Sequence, residues 1–307
     1  MTRTPVLLAL LVVAGAAWGA SQPLTKTAVS EGYRHFGLLF WQLTLGAAFL
    51  GAVMAATRRR LPLAPRYLGF YALIALIGTI VPGIVYYNTA RHLPAGILSI
   101  LLSSIPMLSF PLALAMGNDH FRWRRVIGLW LGFAGVLMLA LPDATLPDPA
   151  QSVWIPIALL SSACYAIEGN IVARWGTMGL GSVQVLTGAS LVGALLTLPM
   201  ALASGQFIDP RGPWGAPDYA LIASSVLHVL AYTMYVWLVG VAGSVFAVQV
   251  SYLVTLFGLV WSMIFLNEAY AGPVWLSLLL MLAGLFFVQP RPRAALVSAA
   301  PLGQNSP

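Results

Sequence analysis

Ten runs of apolar residues, separated by short polar connections, follow one another along the chain. Within each run the apolar residues are continuous rather than alternating, which favours membrane helices over the strands of a barrel. About 20 such residues cross a bilayer as one helix. The predicted spans are 5–28, 36–56, 67–90, 95–116, 124–141, 153–174, 181–203, 217–239, 243–265 and 272–289. The pattern therefore predicts an all-α integral membrane protein with ten transmembrane helices.

The composition supports the same class of protein. Of 307 residues, 60% are apolar and only 7% are charged, whereas soluble domains carry about 25% charged residues. The net charge of +7 does not indicate nucleic-acid binding, because the basic residues form short clusters between apolar runs. The single cysteine, Cys164, lies inside an apolar run and excludes an internal disulfide or a cysteine-rich metal site. We expect no cofactor and no metal, and the bilayer and a small molecule as partners.

The distribution of basic residues predicts the orientation. Most of the 15 lysine and arginine residues fall on one side if the N-terminus is cytoplasmic, including Arg58–Arg60 and Arg122–Arg125. This agrees with the positive-inside rule and places both termini in the cytoplasm. The first run resembles a signal peptide, but nine further spans follow, so we expect an uncleaved first helix.

Similar residues recur along the chain at a fixed distance. Trp18 and Tyr165 are 147 residues apart, as are Ser21 and Glu168, and later pairs are 149 apart. The chain is therefore predicted to be two five-helix halves, 1–145 and 150–290, followed by a disordered cytoplasmic tail, 291–307. An odd number of spans in each half inverts the second half relative to the first, as in many transporters, with the substrate site between the halves.

One stretch of the first half resembles a known family. Residues 90–121 fit the pattern AxxLPAGxxxxLxSxxPxxxxxxAxxxGxDxF, which is similar to the EamA domain of the drug/metabolite transporter (DMT) superfamily. The resemblance covers nearly the whole chain and implies inner-membrane export or exchange of small metabolites. Bacterial aromatic amino acid exporters look most similar. The chain departs from the family pattern in two places. The second half has Val254-Thr255 about where the first half has Pro106, so only one of the two matching helices should bend. The first half ends in Asn118-Asp119 where the family usually has Gly-Glu.

The candidate site consists of polar residues at mid-depth. They lie on the spans that this family packs around its cavity. Glu168 lies well inside the sixth span, where a charge needs a partner or a wet cavity. It would bind a substrate ammonium or carry a proton, unless it is only a hydrogen-bonded structural residue. His228 is either a proton relay or an ordinary hydrogen-bonded histidine. The candidate substrate-binding residues are Trp18, Gln22, Tyr86, Ser103, Tyr165, Glu168, His228, Tyr232, Tyr235, Gln249 and Tyr252.

Other polar residues have a structural interpretation. Asp119 and Glu268 end matching helices near the membrane surface, and we expect each to cap and position the next helix. Tyr86 and Tyr87 should point to different faces of one helix. Pro82-Gly83 should allow a bend in the third span.

The sequence thus predicts a multi-pass inner-membrane secondary transporter that exports neutral amino acids, aromatic ones foremost, by alternating access. A carrier of the same fold for a hydrophobic cation or a sugar conjugate is the alternative, and a channel or membrane scaffold is a third possibility. No catalytic motif is present, so an enzyme is not expected. The fifth and tenth spans would form a scaffold or a homodimer face.

Overall fold

The computed structural model describes residues 4–140, 149–242 and 249–288. Within these ranges the chain contains helices and no strand. The helices are α1 (Thr4–Ser30), α2 (His35–Ala56), α3 (Pro65–Ala75), α4 (Val81–Ala90), α5 (Ala95–Leu102), α6 (Ile105–Ala115), α7 (Trp123–Ala140), α8 (Trp154–Trp175), α9 (Ser182–Ala203), α10 (Ala216–Ala242), α11 (Val250–Leu266) and α12 (Gly272–Val288).

Seven helical segments of the described residues have the length and hydropathy needed to cross a membrane. They are Pro5–Ser30, His35–Ala56, Pro65–Ala90, Ala95–Ala115, Trp123–Ala140, Ala150–Trp175 and Ser182–Ala203. Two shorter apolar helices, α11 and α12, follow near the end of the chain. The all-helical prediction is confirmed. The predicted beginning of the ninth span, at 243–248, and the predicted disordered tail, 291–307, lie outside the described residues.

Two of the membrane-crossing segments are interrupted. One turn of π-helix, Leu76–Ile80, joins α3 to α4, so that the irregularity precedes Pro82 instead of starting at it. Between α5 and α6 the helix is broken at Ser103 and Ser104, whose hydroxyl groups bond back to the carbonyl groups of Ile100 and Leu101. The predicted proline bend in this span therefore occurs just before Pro106, where the proline can begin a new helical turn.

The helix contacts come in matched sets. α1 packs against α10 and α11, and α8 packs against α4 and α6. α2 packs against α9, and α7 packs against α12. Helices from the two halves of the sequence therefore interlock, and residues far apart in the chain can share one site.

The outer surface of the bundle is rich in large apolar side chains. Leu195, Trp130 and Leu279 each expose more than 60% of their surface. Such a surface is unfavourable in water but suits contact with lipid tails.

Glycine residues allow α7 and α12 to approach closely. A Cβ atom added at Gly284 would lie 2.7 Å from the carbonyl oxygen of Gly128 and 2.9 Å from the amide nitrogen of Gly132. The Ser277 hydroxyl also donates to the Gly135 carbonyl oxygen at 2.7 Å. The pair is therefore a close-packed scaffold, and its use as a homodimer face stays a prediction.

This close approach gives a first prediction. Gly284→Ala is expected to destabilise the protein by about 1–3 kcal/mol, because the new methyl group meets backbone atoms that cannot rotate away. The measurement is thermal unfolding in detergent, followed by tryptophan fluorescence. Gly51→Ala in α2 is the matched control, since no atom lies within 4 Å of the added Cβ. Equal unfolding temperatures for the two variants would contradict the assigned packing.

Candidate functional site

An aromatic cluster joins the two halves of the chain near the middle of α1 and α10. Trp18 of α1 donates a hydrogen bond from Nε1 to Nδ1 of His228, at 3.1 Å. The Trp18 ring also lies edge-on to His228, Tyr232 and Tyr235, with ring centroids 5.5, 6.0 and 6.1 Å away. We call these four residues the aromatic cluster. All four are half-buried.

The hydrogen bond from Trp18 fixes the state of His228. Because Nδ1 accepts the indole proton, the imidazole is neutral and carries its own proton on Nε2. His228 is thus hydrogen-bonded in this conformation. An ordinary hydrogen-bonded histidine was one of the two interpretations of this sequence position. Its Nε2–H is a donor that a substrate oxygen could use.

A second polar group lies one turn further along α1. The Tyr86 hydroxyl donates to the side-chain oxygen of Gln22, which is buried. The neighbouring Tyr87 hydroxyl donates instead to Gln42 of α2. The two tyrosines therefore point to different helices, as expected, and Tyr86 is the one directed at the candidate site. Within the described residues, the amide nitrogen of Gln22 donates no hydrogen bond.

Glu168 of α8 lies against the π turn. Its carboxylate occupies the space that a side chain at Gly78 would fill, since an added Cβ would lie 2.6 Å from Oε2. Glu168 and Tyr165 are both half-buried. The acidic residue thus packs against the third span, whose Tyr86 contacts Gln22 of α1.

The three remaining predicted residues are Ser103, Gln249 and Tyr252. Ser103 is buried and bonds the carbonyl of its own helical turn at 2.6 Å. Gln249 directly precedes α11, and Tyr252 packs its ring against the main apolar core. The buried Tyr252 hydroxyl has no hydrogen-bond partner within the described residues.

A polar junction that the sequence did not predict lies at the far end of α1. Lys26 donates from Nζ to the carbonyl oxygens of Ala90 and Leu93, at 2.7 and 3.0 Å. These carbonyls lie at and just beyond the end of α4, where the backbone has no helical donors left. Trp18, Gln22 and Lys26 are spaced by four residues and share one face of α1. Lys26 was used only to predict orientation, although this spacing could have identified it.

Glu268 completes the junction from the other half. Its carboxylate accepts hydrogen bonds from the backbone amides of Ala95 at 2.8 Å and Gly96 at 3.2 Å, and one from the Tyr270 hydroxyl. The expectation that Glu268 caps the next helix was wrong, because it caps the N-terminus of α5. The physical reason is the left-handed conformation of Asn267, with φ of 54°, which ends α11 and turns the chain towards α5.

Tyr270 closes the same junction. Its hydroxyl also accepts a hydrogen bond from the Gly96 amide at 3.1 Å. Burial, and then the bond to Glu268, raise the pKa of Tyr270 above its ordinary value. The phenol therefore remains protonated and keeps donating at neutral pH. We call Lys26, Glu268 and Tyr270 the outer junction.

The opposite end of the bundle has its own polar contacts. Asp119 forms an ion pair with Arg125 of α7, which agrees with its expected role in positioning the next helix. The buried Asn170 of α8 donates to the Ser109 hydroxyl at 2.7 Å and accepts from Asn118. Asn170 was not predicted from the sequence. It ties α6 to α8 and has no evident part in binding a substrate.

Two cavities lie elsewhere in the described part of the chain. A cavity of about 340 Å³ lies among the loops near Tyr33 and Gln206, and one of about 130 Å³ lies near Trp41 and Trp214. Both are away from Glu168 and the aromatic cluster. Across 4–140, 149–242 and 249–288, no three His, Cys, Asp or Glu side chains come together to hold a metal ion.

Comparison with known proteins gives a consistent picture. The EamA-like transporter family matches the chain twice, over residues 5–141 and 152–289. An uncharacterized transporter from Bacillus subtilis (strain 168), YvbV, is 26% identical over 99% of this chain and 96% of its own length. A protein of known crystal structure has a similar fold, with a TM-score of 0.62 and 17% identity, over 93% of this chain and 96% of that one.

Proposed function

Because the chain belongs to the EamA-like transporter family, we propose that this multi-pass membrane protein is a secondary exporter of neutral amino acids, aromatic ones foremost. The single observation that carries this proposal is that Glu168 packs against the span whose Tyr86 bonds to Gln22, one helical turn from Trp18 of the aromatic cluster. A carboxylate at mid-depth attracts an ammonium group, and half-buried aromatic rings accept an aromatic side chain by stacking. An aromatic amino acid presents both groups at a short separation.

The substrate carboxylate also has plausible donors. Gln22 lies one turn from Trp18 on the same face of α1, and His228 is hydrogen-bonded to Trp18. In the proposed complex Glu168 binds the ammonium, these donors bind the carboxylate, and the rings of Trp18 and Tyr232 hold the side chain. Ser103, Gln249 and Tyr252 would contribute to specificity.

The transport mechanism proposed is alternating access in a bacterial-type inner membrane. The two family matches and the matched helix contacts support ten spans arranged as two inverted five-helix repeats. Both termini would be cytoplasmic, and the outer junction would face the opposite side. In this scheme the two halves rock about the site, while α7 and α12 stay packed as a scaffold.

The proposal is tested by counterflow. Purified protein in liposomes loaded with unlabelled phenylalanine should accumulate labelled phenylalanine in a saturable manner, with competition by tryptophan and tyrosine but not by glutamate or lysine. Absence of saturable counterflow would exclude a carrier and favour a channel. A proton gradient imposed in the same liposomes shows whether transport is proton-coupled.

One observation favours a second candidate substrate class. A single deep acid surrounded by aromatic rings also suits a hydrophobic cation. Tetraphenylphosphonium in the same assay distinguishes the two classes, since it has no ammonium donors and no carboxylate. Its transport in the absence of any phenylalanine counterflow would replace the amino acid proposal.

A further inference from the structure

The π turn in the third span changes the backbone hydrogen bonding of the segment that packs against Glu168. The amide of Val81 donates to the carbonyl of Leu76, five residues earlier instead of four. Pro82 follows and has no N–H group, so the carbonyl of Gly78, four residues before it, has no α-helical donor. Single π turns within α-helices are often found at functional sites.

Gly78 is required here for space. Its backbone conformation is not the left-handed one that favours glycine. An added Cβ would instead collide with the Glu168 carboxylate, at 2.6 Å from Oε2 and closer still to Oε1. The glycine therefore forms a notch in the third span, and α8 places its acidic side chain into that notch.

The groups that meet at this notch are hydrogen-bond acceptors. A carboxylate and helix carbonyls in a low-dielectric interior are stable together only when a positive or protonated group lies between them. Within the described part of the chain, no lysine, arginine or histidine contacts Glu168 and no donor is bonded to its carboxylate. A ligand with several N–H donors would match this set of acceptors.

We propose that the π turn and Glu168 form a subsite for a primary ammonium group. Such a group has three N–H donors, enough to bond the carboxylate and one or two backbone carbonyls at once. Unwound helix carbonyls bind cations in this way in other transporter folds. This inference rests on the proposed function, since it specifies how the amino group of the substrate is recognised.

The test measures binding instead of transport, so that it can stand if the proposed function fails. Phenethylamine is the probe, because it has an aromatic ring and a primary ammonium but no carboxylate. It is expected to raise the unfolding temperature of the wild-type protein in detergent. Its N,N,N-trimethyl analogue, which carries the same charge without N–H donors, is expected to bind at least tenfold more weakly.

Two variants locate the effect at the notch. Gly78→Ala should weaken phenethylamine binding at least tenfold, whereas Gly69→Ala, on the same span with no atom within 4 Å of the added Cβ, should bind as wild type does. If Gly78→Ala does not fold, Glu168→Gln keeps the shape of the side chain without its charge and should show the same loss. Shortening the acid in the double variant Gly78→Ala/Glu168→Asp should restore part of the binding.

Several results would overturn the inference. Equal binding of the trimethyl analogue would show a cation–π site without hydrogen-bonded recognition. Wild-type affinity in Glu168→Gln or Gly78→Ala would exclude the notch. Stabilisation by sodium chloride over choline chloride, without any effect of phenethylamine, would identify a metal cation as the occupant. Loss of phenylalanine counterflow with intact phenethylamine binding would reject the proposed function alone.

Discussion

Glu168→Ala is expected to lower the counterflow of phenylalanine by roughly ten- to a hundredfold. A hydrogen bond to a charged group contributes about 1.5–3 kcal/mol, and each 1.4 kcal/mol changes an affinity about tenfold. The loss should appear as a higher half-saturating substrate concentration, because the missing contact is made in the bound state. The measurement is the initial rate of counterflow over a range of phenylalanine concentrations.

The stability of the same variant separates a binding role from a structural role. No described donor is bonded to the Glu168 carboxylate, so its removal relieves an uncompensated charge at mid-depth. We therefore expect an unfolding temperature equal to or above that of the wild type. Glu31→Ala, at an exposed position after α1, is the control and should change neither quantity. A lower unfolding temperature together with normal counterflow would make Glu168 a structural residue.

Glu268→Ala should have the largest effect on stability among the polar substitutions considered. The carboxylate caps α5 through two backbone amides and also accepts a hydrogen bond from Tyr270. It binds at a helix N-terminus, where a negative charge is stabilised by the helix dipole. We expect a loss of about 2–3 kcal/mol, because the amides of Ala95 and Gly96 would be left without acceptors between packed helices.

Thermal unfolding in detergent measures this effect, and two variants control it. Tyr270→Phe removes one of the hydrogen bonds to Glu268 and should give a smaller decrease. Asp209→Ala removes an acid whose ion-pair partner, Arg211, is fully exposed, and the unfolding temperature should stay the same. An unchanged unfolding temperature for Glu268→Ala would show that the outer junction does not hold the two halves together.

The sequence was sufficient to predict the helical class, the family and several helix faces. A fixed helical period places Trp18 and Gln22 on one face, and hydropathy places Glu168 at mid-depth, so these positions depend only on local geometry. The contact of Trp18 with His228 was not predicted, although both residues were candidates for the site.

Features that depend on packing between distant segments could not be predicted. Glu268 caps a helix that begins 173 residues earlier in the chain, and no local signal specifies that partner. The sequence does not indicate the π turn either, because Gly78 and Pro82 are also compatible with a simple proline bend. The need for a glycine at position 78 is explained only by the carboxylate of Glu168, which α8 places against it.

The π turn also determines the direction in which the later side chains of the third span point. A π turn accommodates one extra residue, and each residue of an α-helix advances the chain by about 100° around the axis. The segment after Ile80 is therefore rotated relative to an uninterrupted helix, which directs Tyr86 to α1 and Tyr87 to α2. Deleting one residue at the π turn would turn Tyr86 away from Gln22. The notch at Gly78 that receives Glu168 would remain in place. A single-residue insertion or deletion at this point would therefore exchange the side chains of the third span that face α1.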